Sequence, residues 1–201
     1  MIEQGIIVRE FPQAEVNIRE ALRYAGVRAE MSAATELITQ CCEKLLPVIK
    51  GLTVYRVLDF SSDGETCRIG GASVKSASLS RAMRDADSVI VFAATVGMDT
   101  DRMIARYTKI SEAMAHMLSS LAVERVESLC DTLCKSLSDE LCEEYTLTPR
   151  FSAGYGDLPI EFQRQIFAML NPEKYIGLTL NGSLLMSPSK SVSAIIGLKR
   201  K

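Results

Sequence analysis

The segment Arg150-Phe-Ser-Ala-Gly-Tyr-Gly-Asp157 gathers a guanidinium, two glycines, a phenol and a carboxylate into one short stretch. These residue types suit a ligand with a free amino-acid moiety. The planar fork of Arg150 can hold a carboxylate by two parallel hydrogen bonds, and Glu144, six residues earlier, can receive an ammonium group. Gly154 and Gly156 lack a Cβ and let the backbone approach a ligand closely, while Tyr155 offers a ring face to a base or to a cation such as a sulfonium. The same residues also read as a glycine-containing turn between a strand and a helix, with its arginine paired to a surface carboxylate.

Other chemistry-bearing patterns are weaker. Ser187-Pro-Ser-Lys190 satisfies the S-x-x-K pattern of certain serine hydrolases, but Pro188 lies between strand-like runs, and the companion S-D-N and K-T-G motifs are missing. A polar turn is the better reading. Gly70-Gly-Ala-Ser-Val-Lys75 matches neither phosphate-binding glycine pattern and reads as a loop. His116, the sole histidine, has no nucleophile or orienting acid near it in sequence. No catalytic residue is expected. Cys41 and Cys42 are adjacent, Cys67 stands alone, and Cys130, Cys134 and Cys142 fall at helical spacing, a pattern of small core residues in a reducing compartment. Cys130-Asp-Thr-Leu-Cys134 begins like the three-cysteine motif of radical enzymes, but its third position is Leu137. No metal site is expected.

The elements that must position these groups follow from hydrophobic patterning. A β-prone start at Ile6–Arg9 precedes a short helix from Asn17, as N-cap, to Gly26. A second helix is expected over Met31–Leu46, ending at Pro47. Leu52–Phe60 and Glu65–Ile69 read as a hairpin across Ser-Ser-Asp-Gly, Ser78–Ala86 as a short helix, and Asp87–Thr95 as the central strand. From Asp99 onward a period near 3.6 predicts a long amphipathic helix with a break near Tyr107-Thr108. Its stripe runs through Ile110, Met114, Met117, Leu118, Leu121, Leu129, Leu133, Leu137 and Leu141 and suits packing across a sheet. Another helix spans Pro159–Leu170, Asn171-Pro-Glu-Lys forms a turn, and the tail is β-like over Ile176–Leu180, Leu184–Met186 and Ser191–Ile196. The sum is an α+β fold with a mainly antiparallel twisted sheet, a long helix and several shorter helices packed on it.

The chain of 201 residues fits one domain of usual size. With 23 basic against 25 acidic residues, a net charge of -2 gives no reason to expect nucleic acid or an anionic membrane as partner. The apolar stretches fall far short of the roughly 20 residues needed to cross a bilayer, and Met1-Ile-Glu-Gln-Gly lacks the basic and apolar regions of a secretion signal. A cytoplasmic protein is expected.

Residues 150–199 resemble the S-adenosylmethionine-binding activation (reactivation) domain of cobalamin-dependent methionine synthase. The resemblance rests on Arg150-Phe-Ser-Ala-Gly154-Tyr155, which fits that family's R-x-x-x-G-Y signature, then a proline and a helix, then Leu170-Asn-Pro-Glu-Lys174-Tyr-Ile-Gly177, a strand, and Ser191-Val192-Ser193. Upstream, Phe92-Ala-Ala-Thr-Val-Gly97 and the long helix look like the family's central strand and main helix. The likeness is clearest over residues 89–201; residues 1–88 would complete a single activation-like domain over 1–201.

The resemblance implies a ligand site in which Arg150 pairs with the methionyl carboxylate, Ala153, Gly154 and Tyr155 shape the pocket, and Glu144 helps hold the ligand. Asp157 belongs to the same segment, though the family uses main-chain contacts at its position. Two family features have no placed counterpart: a C-terminal segment with a tyrosine near the ligand, and an N-terminal ligand-binding aspartate. The implied role is that of a stand-alone accessory protein. It would bind S-adenosylmethionine as methyl donor and support reductive remethylation of cob(II)alamin, with the cobalamin carried by a separate methionine synthase and the electron supplied by a reductant such as flavodoxin. Alternatives are a scaffold subunit of the same fold without the ligand, or an activator of a different corrinoid protein.

Overall fold

The computed structural model of the chain describes residues 5–27 and 32–201. Nine strands and seven α-helices are found there. The strands are β1 (Ile7–Phe11), β2 (Gly51–Ser62), β3 (Thr66–Ile69), β4 (Ala72–Lys75), β5 (Ser88–Thr95), β6 (Tyr145–Leu147), β7 (Thr179–Leu180), β8 (Met186–Ser187) and β9 (Ser191–Arg200). The helices are α1 (Ile18–Tyr24), α2 (Ser32–Leu45), α3 (Ala77–Ala82), α4 (Met98–Thr108), α5 (Glu112–Leu141), α6 (Gln163–Leu170) and α7 (Pro172–Ile176). The main sheet has the order β4-β3-β2-β5-β9-β6, with β1 also on β2, and every pairing is antiparallel. β7 and β8 form a separate small pair. The α+β fold with a mainly antiparallel sheet is therefore the fold found.

β5 is central because nearly all of it is apolar on both faces. Ile90, Phe92 and Ala94 point toward the layer of α1, α2 and α5, whereas Val89, Val91 and Ala93 point toward α6 and the segment before it. Each fully buried large side chain of this kind stabilises the fold by about 1.5–3 kcal/mol. α5 lays Leu118, Leu121, Leu129, Leu133 and Leu137 into the first of these layers, as its periodicity predicts. Ile110 leaves the expected stripe: the chain breaks after Tyr107-Thr108, and Ile110 lies exposed in the short link between α4 and α5.

Local chemistry sets the other boundaries. The Asn17 side chain accepts from the Glu20 amide at 3.2 Å and opens α1, and Gly26 takes φ +74° just beyond its end. The expected start of the next helix at Met31 lies outside the described residues. The buried Glu124–Arg125 pair fixes the chain ahead of α1: Arg125 donates to the carbonyls of Ala14 (2.6 Å) and Glu15 (3.1 Å), and Glu124 accepts from the Asn17 amide at 3.0 Å. Residues 72–75, expected to be loop, form strand β4, because Gly70 and Gly71 at φ +53° and +90° make a two-residue hairpin turn. Asn171-Pro-Glu-Lys, expected as a turn, begins α7, with Pro172 at its first position.

The sheet edge beyond β6 is irregular. Leu147 pairs with Leu198 and Phe151 with Ile195, so four steps along the edge segment face three along β9. The extra residue is a bulge over Thr148-Pro149-Arg150. Thr148 secures it with its backbone amide, which donates to the Gly197 carbonyl at 3.0 Å, and with its hydroxyl, which accepts from the Gly197 amide at 2.8 Å. A Cβ at Gly197 would lie 2.9 Å from Thr148 Cγ2, so glycine is what lets the two strands approach. Replacing Thr148 with valine keeps the shape but strands the buried Gly197 amide. Chemical denaturation is expected to show a loss of about 1–3 kcal/mol for Thr148→Val and a much smaller loss for Thr148→Ser.

Candidate functional site

Arg150 leaves the sheet edge at the bulge and reaches α5. Its Nη2 donates to Glu127 Oε2 at 3.1 Å and to Asp131 Oδ1 at 2.9 Å. The two acids sit four residues apart on one helix face, the spacing at which side chains stack along a helix. Among the described residues, Nε and Nη1 of Arg150 have no hydrogen-bond partner. The arginine is thus half buried and held in position, with donors to spare. Burial weighs against its charge, but Cys130, Glu127 and Asp131 outweigh that effect and its pKa lies above the ordinary arginine value.

Beside Arg150 lies a hollow of about 630 Å³, within the range usual for small-molecule sites. Its walls come from separate elements: Glu127 of α5, Phe151 and Tyr155 of the turn, Gln163 at the start of α6, Met186 of β8 and Ser193 of β9. Phe151 and Tyr155 meet edge to face with ring centroids 6.3 Å apart, and Tyr155 stays 65% exposed at the rim. At the opposite end of polarity, Gln163 Oε1 and Ser193 Oγ are buried with no hydrogen-bond partner among the described residues.

The turn is shaped by backbone constraints. Gly154 adopts φ +91° and Gly156 φ +56°, conformations that side chains with a Cβ rarely take. A Cβ on Gly156 would also come within 2.6 Å of Ser78 Oγ. The Gly154 amide donates to the Leu158 carbonyl at 2.9 Å, and the Leu158 amide to the Tyr155 carbonyl at 3.0 Å. Leu158, buried with Ala153 under the turn, ties it to the core of the second layer.

The sequence-predicted residues divide accordingly. Arg150 and Tyr155 line the hollow, and Gly154 bends the turn that carries Tyr155. The Ala153 side chain is buried in the core below. Asp157 points to α3, where it accepts from the Ser76 hydroxyl (2.6 Å) and from the amides of Ala77 (2.9 Å) and Ser78 (3.0 Å). Glu144 follows α5 at the start of β6, exposed and outside the lining of the hollow. Sequence reasoning assigned no site role to Glu127, Asp131 or Gln163, and it used Ser193 only as part of the Ser191-Val192-Ser193 segment of the resemblance. The spacing of the two acids on a long helix was the available signal for the first pair, and the Ser191-Val192-Ser193 segment for Ser193; a lone glutamine carries none.

Groups considered for other chemistry are occupied structurally. His116 Nε2 donates to the Ala25 carbonyl at 3.1 Å. Lys190 Nζ donates to Ser119 Oγ at 2.9 Å, and the neighbouring Ser189 is held by Asp101, so residues 187–190 form a polar turn. Burial pushes the Cys130 thiol up to about 12, which keeps it neutral. Among the described residues, no helix is long and apolar enough to cross a membrane.

Comparison with known proteins places the chain in a family and a fold. The family model described as vitamin B12 dependent methionine synthase, activation domain, matches residues 79–201. Among solved structures, the chain is similar to the MetH reactivation domain bound to AdoHcy, with a TM-score of 0.71 and 17% sequence identity over 96% of this chain and 78% of that one. At that identity the likeness shows the fold. No curated protein sequence matches the chain.

The Ser76 hydroxyl, followed by the Ser78 and Ala77 amides, holds Asp157 at about 2, below the ordinary 3.8. A carboxylate with a lowered folded-state pKa stabilises the protein above its unfolded value and loses that contribution as pH falls through the folded value. Asp157→Asn is therefore expected to lower the melting temperature near neutral pH, with the difference from the wild type closing between about pH 4 and pH 2. A gap that stays constant through that interval would rule out the carboxylate as its source.

Proposed function

Because the chain belongs to the vitamin B12 dependent methionine synthase activation domain family, we propose that it binds S-adenosylmethionine in the hollow beside Arg150 and supports reductive remethylation of cob(II)alamin on a separate cobalamin-dependent methionine synthase. In this reading residues 1–201 act as one activation domain in the cytoplasm. The partner, or another corrinoid protein in its place, carries the cobalamin, and an external reductant such as flavodoxin supplies the electron.

The observation that carries the ligand assignment is the state of Arg150: anchored through one nitrogen to Glu127 and Asp131, with its remaining donors unpartnered among the described residues and the residue itself lining the hollow. Nε donates to the carboxylate of the methionyl moiety in a charge-assisted hydrogen bond. Glu127, which lines the same hollow, accepts from the ammonium group and so takes the part first expected of Glu144. Tyr155 presents its ring to the sulfonium or the base. The glycine turn and the Asp157 contacts to α3 hold Tyr155 and Arg150 in fixed relation, so the chain's contribution is proximity and orientation. When bound, S-adenosylmethionine supplies a methyl group on sulfonium, and the acceptor cobalt belongs to the partner.

Calorimetric titration tests the assignment. The wild type is expected to bind S-adenosylmethionine, and Arg150→Ala to weaken binding by about 2 kcal/mol or more, roughly thirtyfold, as for loss of a charged hydrogen-bonded pair. A folded wild-type protein that takes up no ligand would remove the assignment. The partner role is read from the cob(II)alamin absorbance of a methionine synthase, which should decay only when this protein, S-adenosylmethionine and a reductant are all present.

A further inference from the structure

We propose that Gln163 and Ser193 bind the nucleoside half of the ligand, with Gln163 Oε1 accepting from a ligand donor and the Ser193 hydroxyl completing the contact. The inference rests on reading the hollow as a site for an adenosyl ligand. Among the described residues, two side-chain polar atoms are buried without a hydrogen-bond partner, Gln163 Oε1 and Ser193 Oγ, and both line that hollow. Gln163 is 7% and Ser193 3% exposed. Buried polar groups are almost always paired in folded proteins, because leaving one unpaired forfeits its hydration without compensation. Two such exceptions in one hollow mark it as a place where an outside group supplies the partners.

Their placement is a consequence of the fold. Ser193 lies on the face of β9 shared with Ile195, whose backbone bridges Phe151. Its neighbour Ser191 is satisfied: its hydroxyl donates to the Pro188 carbonyl and lies within hydrogen-bonding distance of Thr95 Oγ1, both at 2.8 Å. Gln163 opens α6 directly after a 3-10 turn over Ile160–Phe162, with Phe162 and Ile166 packed into the core on either side of it. Two independent elements thus converge on the hollow, while Arg150 and Glu127 provide charge suited to an amino-acid moiety. A carboxamide oxygen and a hydroxyl suit neutral donors and acceptors instead. The base amine and the ribose hydroxyls of an adenosyl group supply that chemistry.

Such a pair selects by the cost of leaving itself unpaired: a ligand lacking the matching donor meets a buried acceptor with no partner. It also has a signature that a structural role would not give. Because neither atom has a partner among the described residues, Gln163→Met and Ser193→Ala should leave the melting temperature unchanged or raise it, while weakening ligand binding.

The test uses the whole chain, with S-adenosylhomocysteine followed by calorimetry and adenosine by NMR shift titration. Both variants are expected to weaken both ligands roughly tenfold, as for loss of a buried hydrogen bond, whereas Arg150→Ala weakens S-adenosylhomocysteine and spares adenosine. S-inosylhomocysteine, which replaces the base amine with an oxo group, identifies the donor without altering the protein. If the base amine is bound by Gln163, this compound binds the wild type roughly tenfold more weakly, and Gln163→Met no longer distinguishes the two. If a ribose hydroxyl is bound, the two compounds bind the wild type alike and Gln163→Met weakens both by the same factor. Wild-type binding of S-adenosylhomocysteine with unchanged affinity in both variants would overturn this inference and leave the proposed function standing. A folded wild type that binds neither S-adenosylhomocysteine nor adenosine would overturn both.

Discussion

The bulge at Thr148-Pro149-Arg150 is the constraint on which the site depends. A regular edge strand would alternate its side chains between the two faces of the sheet, and Arg150 would take its place in that alternation. One extra residue breaks the alternation and turns Arg150 toward α5, where Glu127 and Asp131 receive it. The bulge persists because its hydrogen bonds are not lost but rerouted: the Thr148 hydroxyl takes the Gly197 amide that a backbone carbonyl would otherwise satisfy. Gly197 in turn leaves room for Thr148, Met83 and Ala86 at distances where a Cβ would collide.

The rest of the hollow is built outward from that point. Two glycines with positive φ bend the chain so that Tyr155 stands at the rim. Leu158 and Ala153 root the turn in the core, and Asp157 staples it to α3 through three hydrogen bonds. Site and scaffold are thus joined by few residues with separate duties. Ser191 and Asp157 are paired within the fold, whereas among the described residues Gln163 Oε1 and Ser193 Oγ have no partner at the hollow.

Much of the architecture was legible in the sequence because it follows from periodicity. The β-branched run at 88–95 and the apolar stripe through Leu118 and Leu137 each have one stable arrangement, a central strand and a helix lying across it. The residue types of the Arg150–Tyr155 segment suggested a ligand site, and the structure places Arg150 and Tyr155 on one hollow. Its details were not legible for physical reasons. β4 is too short to show alternation, and its hairpin depends on two glycines that equally suit a loop. Asp157 looked like a ligand group because nothing in sequence links it to Ser76, some eighty positions away. Ala153 and Glu144 stand near Arg150 along the chain, but the core takes the first and the β6 start the second. Gln163 and Ser193 gain significance only from burial without a partner, which is a property of the folded molecule.

The central claim is that a bulge-positioned arginine and the hollow beside it form one ligand site. Backbone and arginine side-chain NMR signals, followed while S-adenosylhomocysteine is added, test it most directly. The account predicts that the largest shifts fall on the Arg150 Nε–H and on the amides of residues 151–156, 163 and 191–193, with the outer strands β3 and β4 unmoved. Shifts concentrated elsewhere, with the Arg150 signal unchanged at saturation, would contradict it.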